Sequence, residues 1–130
     1  MKIKASSILS FCVFVALSCL IFSCSKDKDS PSGKSHKVQF KVVTSPGCDI
    51  QLAVYGVGDD NTSETSLSGT EWASEILTAP AGTEGLYLSA QATGVDANST
   101  IKAQIYVDGE LKKEGSAKGE ILVGNVSLEL

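Results

Sequence analysis

The chain has 130 residues, eleven of them basic and fifteen acidic, for a net charge of −4. Every basic residue except the single histidine is a lysine. Nucleic-acid and phosphate recognition lean on arginine forks and basic patches, so an acidic, arginine-free chain argues against nucleic acid as a partner. This length provides for one domain and not two.

The N-terminus begins with positive charge at Lys2 and Lys4, and none follows from Ala5 to Ser25. Ile8 to Phe22 is almost wholly apolar, a length that suits the h-region of a secretion signal. An uncleaved anchor is the alternative, since about twenty apolar residues cross a bilayer. Ile21-Phe22-Ser23-Cys24 resembles the lipobox of bacterial prolipoproteins, in which a small residue precedes the cysteine that is lipidated. The resemblance implies cleavage between Ser23 and Cys24 and a covalent lipid on Cys24. Ala16-Leu17-Ser18-Cys19 is a second candidate, but it would leave Leu20, Ile21 and Phe22 at the head of the mature chain.

Ser25 to Ser35 is a polar tether with Pro31, Gly33 and alternating charge, and it has nothing to bury. Its Lys26-Asp27-Lys28-Asp29 tract resembles the charged export signal of Bacteroidota surface lipoproteins, and a plain soluble tether reads equally well. The expected organisation is a helical signal peptide over 1–23, a lipidated cysteine and linker over 24–35, and a domain over 36–130. The expected location is the bacterial outer membrane, lipid-anchored, on its surface or its periplasmic side. Removing 23 of the 130 residues leaves 107, with nine lysines against fifteen carboxylates and a net charge of −6. Cys12 and Cys19 leave with the signal, and a lipidated Cys24 cannot form a disulfide. Cys48 is then alone, without a disulfide partner or a zinc cluster.

From His36 the sequence turns to short alternating runs. Val38, Phe40 and Val42 form one inward set, and Ile50, Leu52 and Val54 the next. Trp72 and Ile76 share a parity opposite to Glu71 and Glu75. Leu86, Leu88 and Ala90 alternate with Tyr87, Ser89 and Gln91. Ile101, Ala103, Ile105 and Val107 follow, and Leu122, Gly124, Val126, Leu128 and Leu130 finish the chain. A period of two repeated at this spacing predicts half-buried strands in a sandwich or barrel. Asp108-Gly109 predicts a two-residue type I′ hairpin. Six or seven strands are expected, near 37–44, 49–57, 71–78, 85–93, 100–107, 110–116 and 120–130. The economical fold is all-β, an immunoglobulin-like antiparallel β-sandwich, since a ligand-holding barrel needs more chain.

Trp72, Tyr87-Leu88-Ser89-Ala90-Gln91-Ala92, Ile105-Tyr106-Val107-Asp108-Gly109-Glu110 and the run from Glu114 to Gly119 occur in an order similar to the MmpS family. These are the small mycobacterial membrane proteins, and the likeness covers about residues 38–128. It implies a small immunoglobulin-like sandwich outside a membrane, acting as an accessory to large lipid exporters. This chain carries a lipobox in place of the family's transmembrane helix. It also has Ala103 and Gly124 near where the family's cysteine pair would fall.

Catalysis needs a nucleophile with a base, paired carboxylates or a metal. The lone His36 reads as a solvated residue, and Cys48, beside Asp49, reads as a buried inert thiol. No enzyme is expected. Asp59, Asp60 and Glu64 are the candidate calcium ligands, on a loop whose spacing matches no EF-hand; a solvated loop is the plainer reading. Trp72 suits a sandwich core. Tyr55, Tyr87 and Tyr106 fall opposite the apolar parity of their strands, so with Trp72 they are the candidate ligand platform, flat rings suited to a glycan or protein partner. The expected function is a lipid-anchored envelope protein serving as a binding or transport-accessory module. The alternative is a structural or assembly subunit that pairs through an exposed strand edge.

Overall fold

The computed structural model describes residues 34–130; the signal peptide, Ser23, Cys24 and most of the linker lie outside them. Nine strands are present: β1 His36–Thr44, β2 Asp49–Val57, β3 Asp60–Thr65, β4 Glu71–Ala73, β5 Leu77–Ala79, β6 Gly85–Thr93, β7 Thr100–Val107, β8 Glu110–Lys118 and β9 Ile121–Glu129. No helix occurs among the described residues. The strands form two antiparallel sheets. One has the order β4-β1-β7-β8, with β5 also on β1, and the other the order β3-β2-β6-β9. The sheets pack face to face as an all-β sandwich, as the alternating sequence requires.

Most inward sets are those the period of two predicts. Val38, Phe40 and Val42 of β1 meet Ile101, Ala103, Ile105 and Val107 of β7 within one sheet. Leu86, Leu88, Ala90 and Ala92 of β6 meet Leu122 and Val126 of β9 within the other. The β7–β8 turn is the type I′ hairpin that Asp-Gly favours, with Asp108 at φ 52° and Gly109 at φ 83°. Leu130 departs from its set and is exposed.

Three expectations are corrected, two of them by β-bulges. In β2, Ile50 pairs with Ala92 and Leu52 with Gln91, so Gln51 is an extra residue. The bulge reverses the parity: Ile50 points inward, but beyond it Ala53 and Tyr55 are buried in place of Leu52 and Val54. The expected strand over 71–78 is two short strands. Lys41 pairs with Ala73 and Val38 with Leu77, so Ser74, Glu75 and Ile76 stand opposite only Gln39 and Phe40. Trp72 therefore faces inward while Ile76 is 66% exposed. The segment read as a loop at Asp60–Thr65 is instead the edge strand β3.

Ser74 holds the break between β4 and β5 together. Its N–H donates to the Phe40 carbonyl at 2.8 Å, and its Oγ accepts the Phe40 N–H at 3.0 Å. The buried serine thus supplies the ladder bond that the bulge would otherwise cost.

Candidate functional site

The interior and the two outer faces divide the candidate residues. Tyr55 is 5% exposed, so it is a core residue and cannot serve a surface platform. It reaches from β2 into the opposite sheet, its ring 5.1 Å from Phe40 and 5.4 Å from Trp72, both in tilted contacts. Its O–H donates to Glu64 Oε2 at 2.7 Å, and Trp72 Nε1 donates to Glu64 Oε1 at 3.4 Å. Glu64 therefore ties β2, β3 and β4 together at one side of the sandwich. Burial, reinforced by the Glu64 carboxylate, pushes the Tyr55 phenol up to about 12.

That arrangement also separates the candidate calcium ligands. Asp59 and Asp60 are exposed at the β2–β3 hairpin. Glu64 lies four residues along β3, about 13 Å at the usual strand rise, and is engaged by Tyr55 and Trp72. Among the described residues no three His, Cys, Asp or Glu side chains are grouped to hold a metal.

Tyr106 lies on the outer face of the first sheet, with Lys41 Nζ 4.6 Å from its ring centroid. Tyr87 lies on the outer face of the second sheet. The two rings are thus on opposite sides, and the four-residue platform is not assembled.

His36 is not a lone solvated side chain. Its Nδ1 is 2.7 Å from Asp108 Oδ2, and Asp108 Oδ1 accepts the Lys37 N–H at 3.0 Å. The His36 contact, then the Lys37 amide, hold the Asp108 carboxyl below its ordinary range. The turn aspartate thereby clamps the start of β1, where the linker joins the domain. No nucleophile is hydrogen-bonded to His36 among the described residues. Cys48 is buried beside Ser45, whose Oγ is 3.4 Å from its Sγ. That contact lowers the thiol's pKa, while desolvation works against it.

The arrangement with most capacity for binding is the outer face of the second sheet. Register places its residues in cross-strand rows: Asn61, Gly56, Tyr87 and Ser127; then Ser63, Val54, Ser89 and Asn125; then Thr65, Leu52, Gln91 and Val123. No charged residue occurs in these rows. The Tyr87 ring lies over Gly56, where any Cβ would collide with it, and its O–H donates to Asn61 Oδ1 at 2.6 Å. An aromatic ring covering a strand glycine excludes water from the exposed backbone there. An open groove of about 410 Å³ runs beside β9, lined by Tyr87, Ser89, Asn125 and Ser127 with Lys113 and Glu114 of β8.

Hydroxyls and amides cost far less to desolvate than ions, so such a face can exchange water for a polar, uncharged ligand. Ser89, Gln91, Asn125 and Ser127 are legible in the sequence only as outward positions. Their joint lack of charge becomes visible once β6 and β9 are paired. No protein-family model matches the chain, and no curated protein matches it.

Proposed function

We propose that this chain is a lipid-anchored protein of the bacterial cell envelope, attached through Cys24, that acts as a non-enzymatic binding module for a neutral, hydroxyl-rich ligand such as a glycan. The observation that carries the ligand class is the set of three uncharged rows across the outer face of the second sheet, with one ring and a groove lined by amides and hydroxyls beside Lys113 and Glu114. The anchor rests on Ser23-Cys24 at the end of the apolar run. Two or more acyl chains hold a protein stably on its membrane, whereas one does not. The likeness to the MmpS family supports an accessory role beside an exporter as the use of such a module. Strand-edge assembly is the weaker reading. β8, one of the two edges of the first sheet, is bulged at Lys112 and carries three lysines, which discourages pairing there.

Two measurements test the proposal separately. Cells fed a tagged fatty acid should label the wild type and leave Cys24→Ala unlabelled; an unlabelled wild type removes the anchor. Protease shaving of intact cells then decides between the surface and the periplasmic side. On a glycan array the mature protein should bind neutral glycans, and Asn125→Ala with Gln91→Ala should weaken binding about tenfold, the worth of one or two hydrogen bonds. Silence across host, dietary and envelope glycans removes the ligand class.

A further inference from the structure

The lysines on the strands all belong to the first sheet, and of these Lys113, opposite the buried Ile105, borders the groove beside β9. Lys37 and Lys41 lie on β1, Lys102 on β7, and Lys112, Lys113 and Lys118 on β8, all in the first sheet, and Lys34 precedes β1. The second sheet has no lysine, and its strands carry Asp49, Asp60, Glu64 and Glu129.

Register turns four of these lysines to the outer face. Lys37 pairs with Thr78, Lys41 with Gln104, Lys102 with Ser116 and Lys118 with Thr100, at positions alternating with the buried set. Among the described residues the close contacts between basic and acidic side chains are His36–Asp108 and Lys112–Glu110, so none of the four lysines is held by a carboxylate there. Lys37 Nζ instead donates to Thr78 Oγ1, and Lys41 rests on the Tyr106 ring. Three carboxylates on this side have local partners: Asp108 has His36, Glu110 has Lys112, and Glu114 accepts from Gln104 Nε2 at 2.6 Å. Glu71 and Glu75 remain toward the β4–β5 margin.

We infer that this lysine face docks on anionic phospholipid headgroups of the membrane that bears the anchor, an inference that rests on lipidation at Cys24. Lysines near an anionic leaflet are attracted to it, and the attraction fades within a Debye length, about 8 Å at physiological salt. About ten residues separate Cys24 from the domain, a reach of at most roughly 40 Å for any chain of that length, so the domain is held near the surface. The tether joins β1, a strand of the lysine sheet. Asp49 and Glu129, exposed at the ends of the second sheet, are repelled by the same surface, which favours the same orientation. Tyr106 and the exposed Ile76 lie on the docking side, where an amphipathic ring suits the headgroup level. The uncharged face is then turned away from the membrane, open to its ligand.

The test uses the lipidated protein in nanodiscs of phosphatidylglycerol or phosphatidylcholine, with lysine acetylation rates read by mass spectrometry. Lys37, Lys41, Lys102 and Lys118 should acetylate about tenfold more slowly on phosphatidylglycerol, with the difference collapsing in high salt. Lys102→Gln with Lys118→Gln should release Lys37 and Lys41 from protection. Equal rates on both lipids overturn the inference. Protection that persists on phosphatidylcholine, or tracks a dimer in sedimentation, overturns it too and assigns the face to a second copy. A Cys24 peptide without lipid mass instead defeats the anchor. The lysine face is then judged by salt-sensitive sedimentation of the protein with phosphatidylglycerol vesicles, where no binding overturns it.

Discussion

Tyr55 shows how much can rest on one hydroxyl. Its ring fills the space between Phe40 and Trp72, and its O–H reaches the half-buried Glu64. A hydrogen bond to a charged group contributes about 1.5–3 kcal/mol, so Tyr55→Phe should lower unfolding stability by that order in urea titration. The phenol also sets an alkaline limit. In the folded protein it titrates near 12, against an ordinary value of 10.0. Between those values the unfolded chain has released the proton that the folded chain retains, so stability falls as pH rises. The contribution is complete below pH 10 and is lost on passing through pH 12. The urea midpoint of the wild type should drop across this window, while Tyr55→Phe should lack that component. A parallel pair of curves would show that Tyr55 is not the group responsible.

Bulges decide what the strands present. Alternation was legible in β1, β6, β7 and β9, where the inward residues follow the period without interruption. In β2 the same rule points to Leu52 and Val54, because an extra residue at Gln51 leaves no mark in hydrophobicity. The unbroken period turns Tyr55 outward, whereas the inserted residue buries it. Lys112 is the corresponding extra residue in β8, opposite Ile105 and Tyr106. At the third bulge Ser74 is buried and bonds Phe40 twice. Ser74→Ala should leave the Phe40 N–H without its partner, at a cost of about 1–3 kcal/mol. Faster hydrogen exchange at the Phe40 amide would register the loss locally, and an unchanged rate would show that another group satisfies it.

At the scale of the molecule, the sandwich closes differently along its two sides. One side is tied by Glu64 to Tyr55 and Trp72, and the other brings β8 against β9. There Gly115 packs on the Asn125 carbonyl so closely that a Cβ would collide with backbone. Backbone cannot swing aside as a side chain can, so Gly115→Ala should force the sheets apart along this side. The expected loss is about 2 kcal/mol, roughly 10 °C in Tm for a domain of this size. Calorimetry measures it, with Gly109→Ala as a comparison that strains a turn but meets nothing in space. The same closure brings Lys113 and Glu114 beside Ser127 and Asn125, forming the groove.

The sequence by itself determined the all-β class, most of the inward residues and the Asp108-Gly109 hairpin, because alternation and turn chemistry are local. It also carries the whole of the anchor reading, since Cys24 and its context are read as a linear motif. The parity of Tyr55, the capture of Glu64 and the separation of Tyr87 from Tyr106 were decided only by tertiary structure. Each depends on which strands pair and where a residue is inserted, and neither leaves a trace in the periodicity of one strand. The uncharged face and the lysine face arise in the same way, from residues distant in the chain that strand pairing brings side by side.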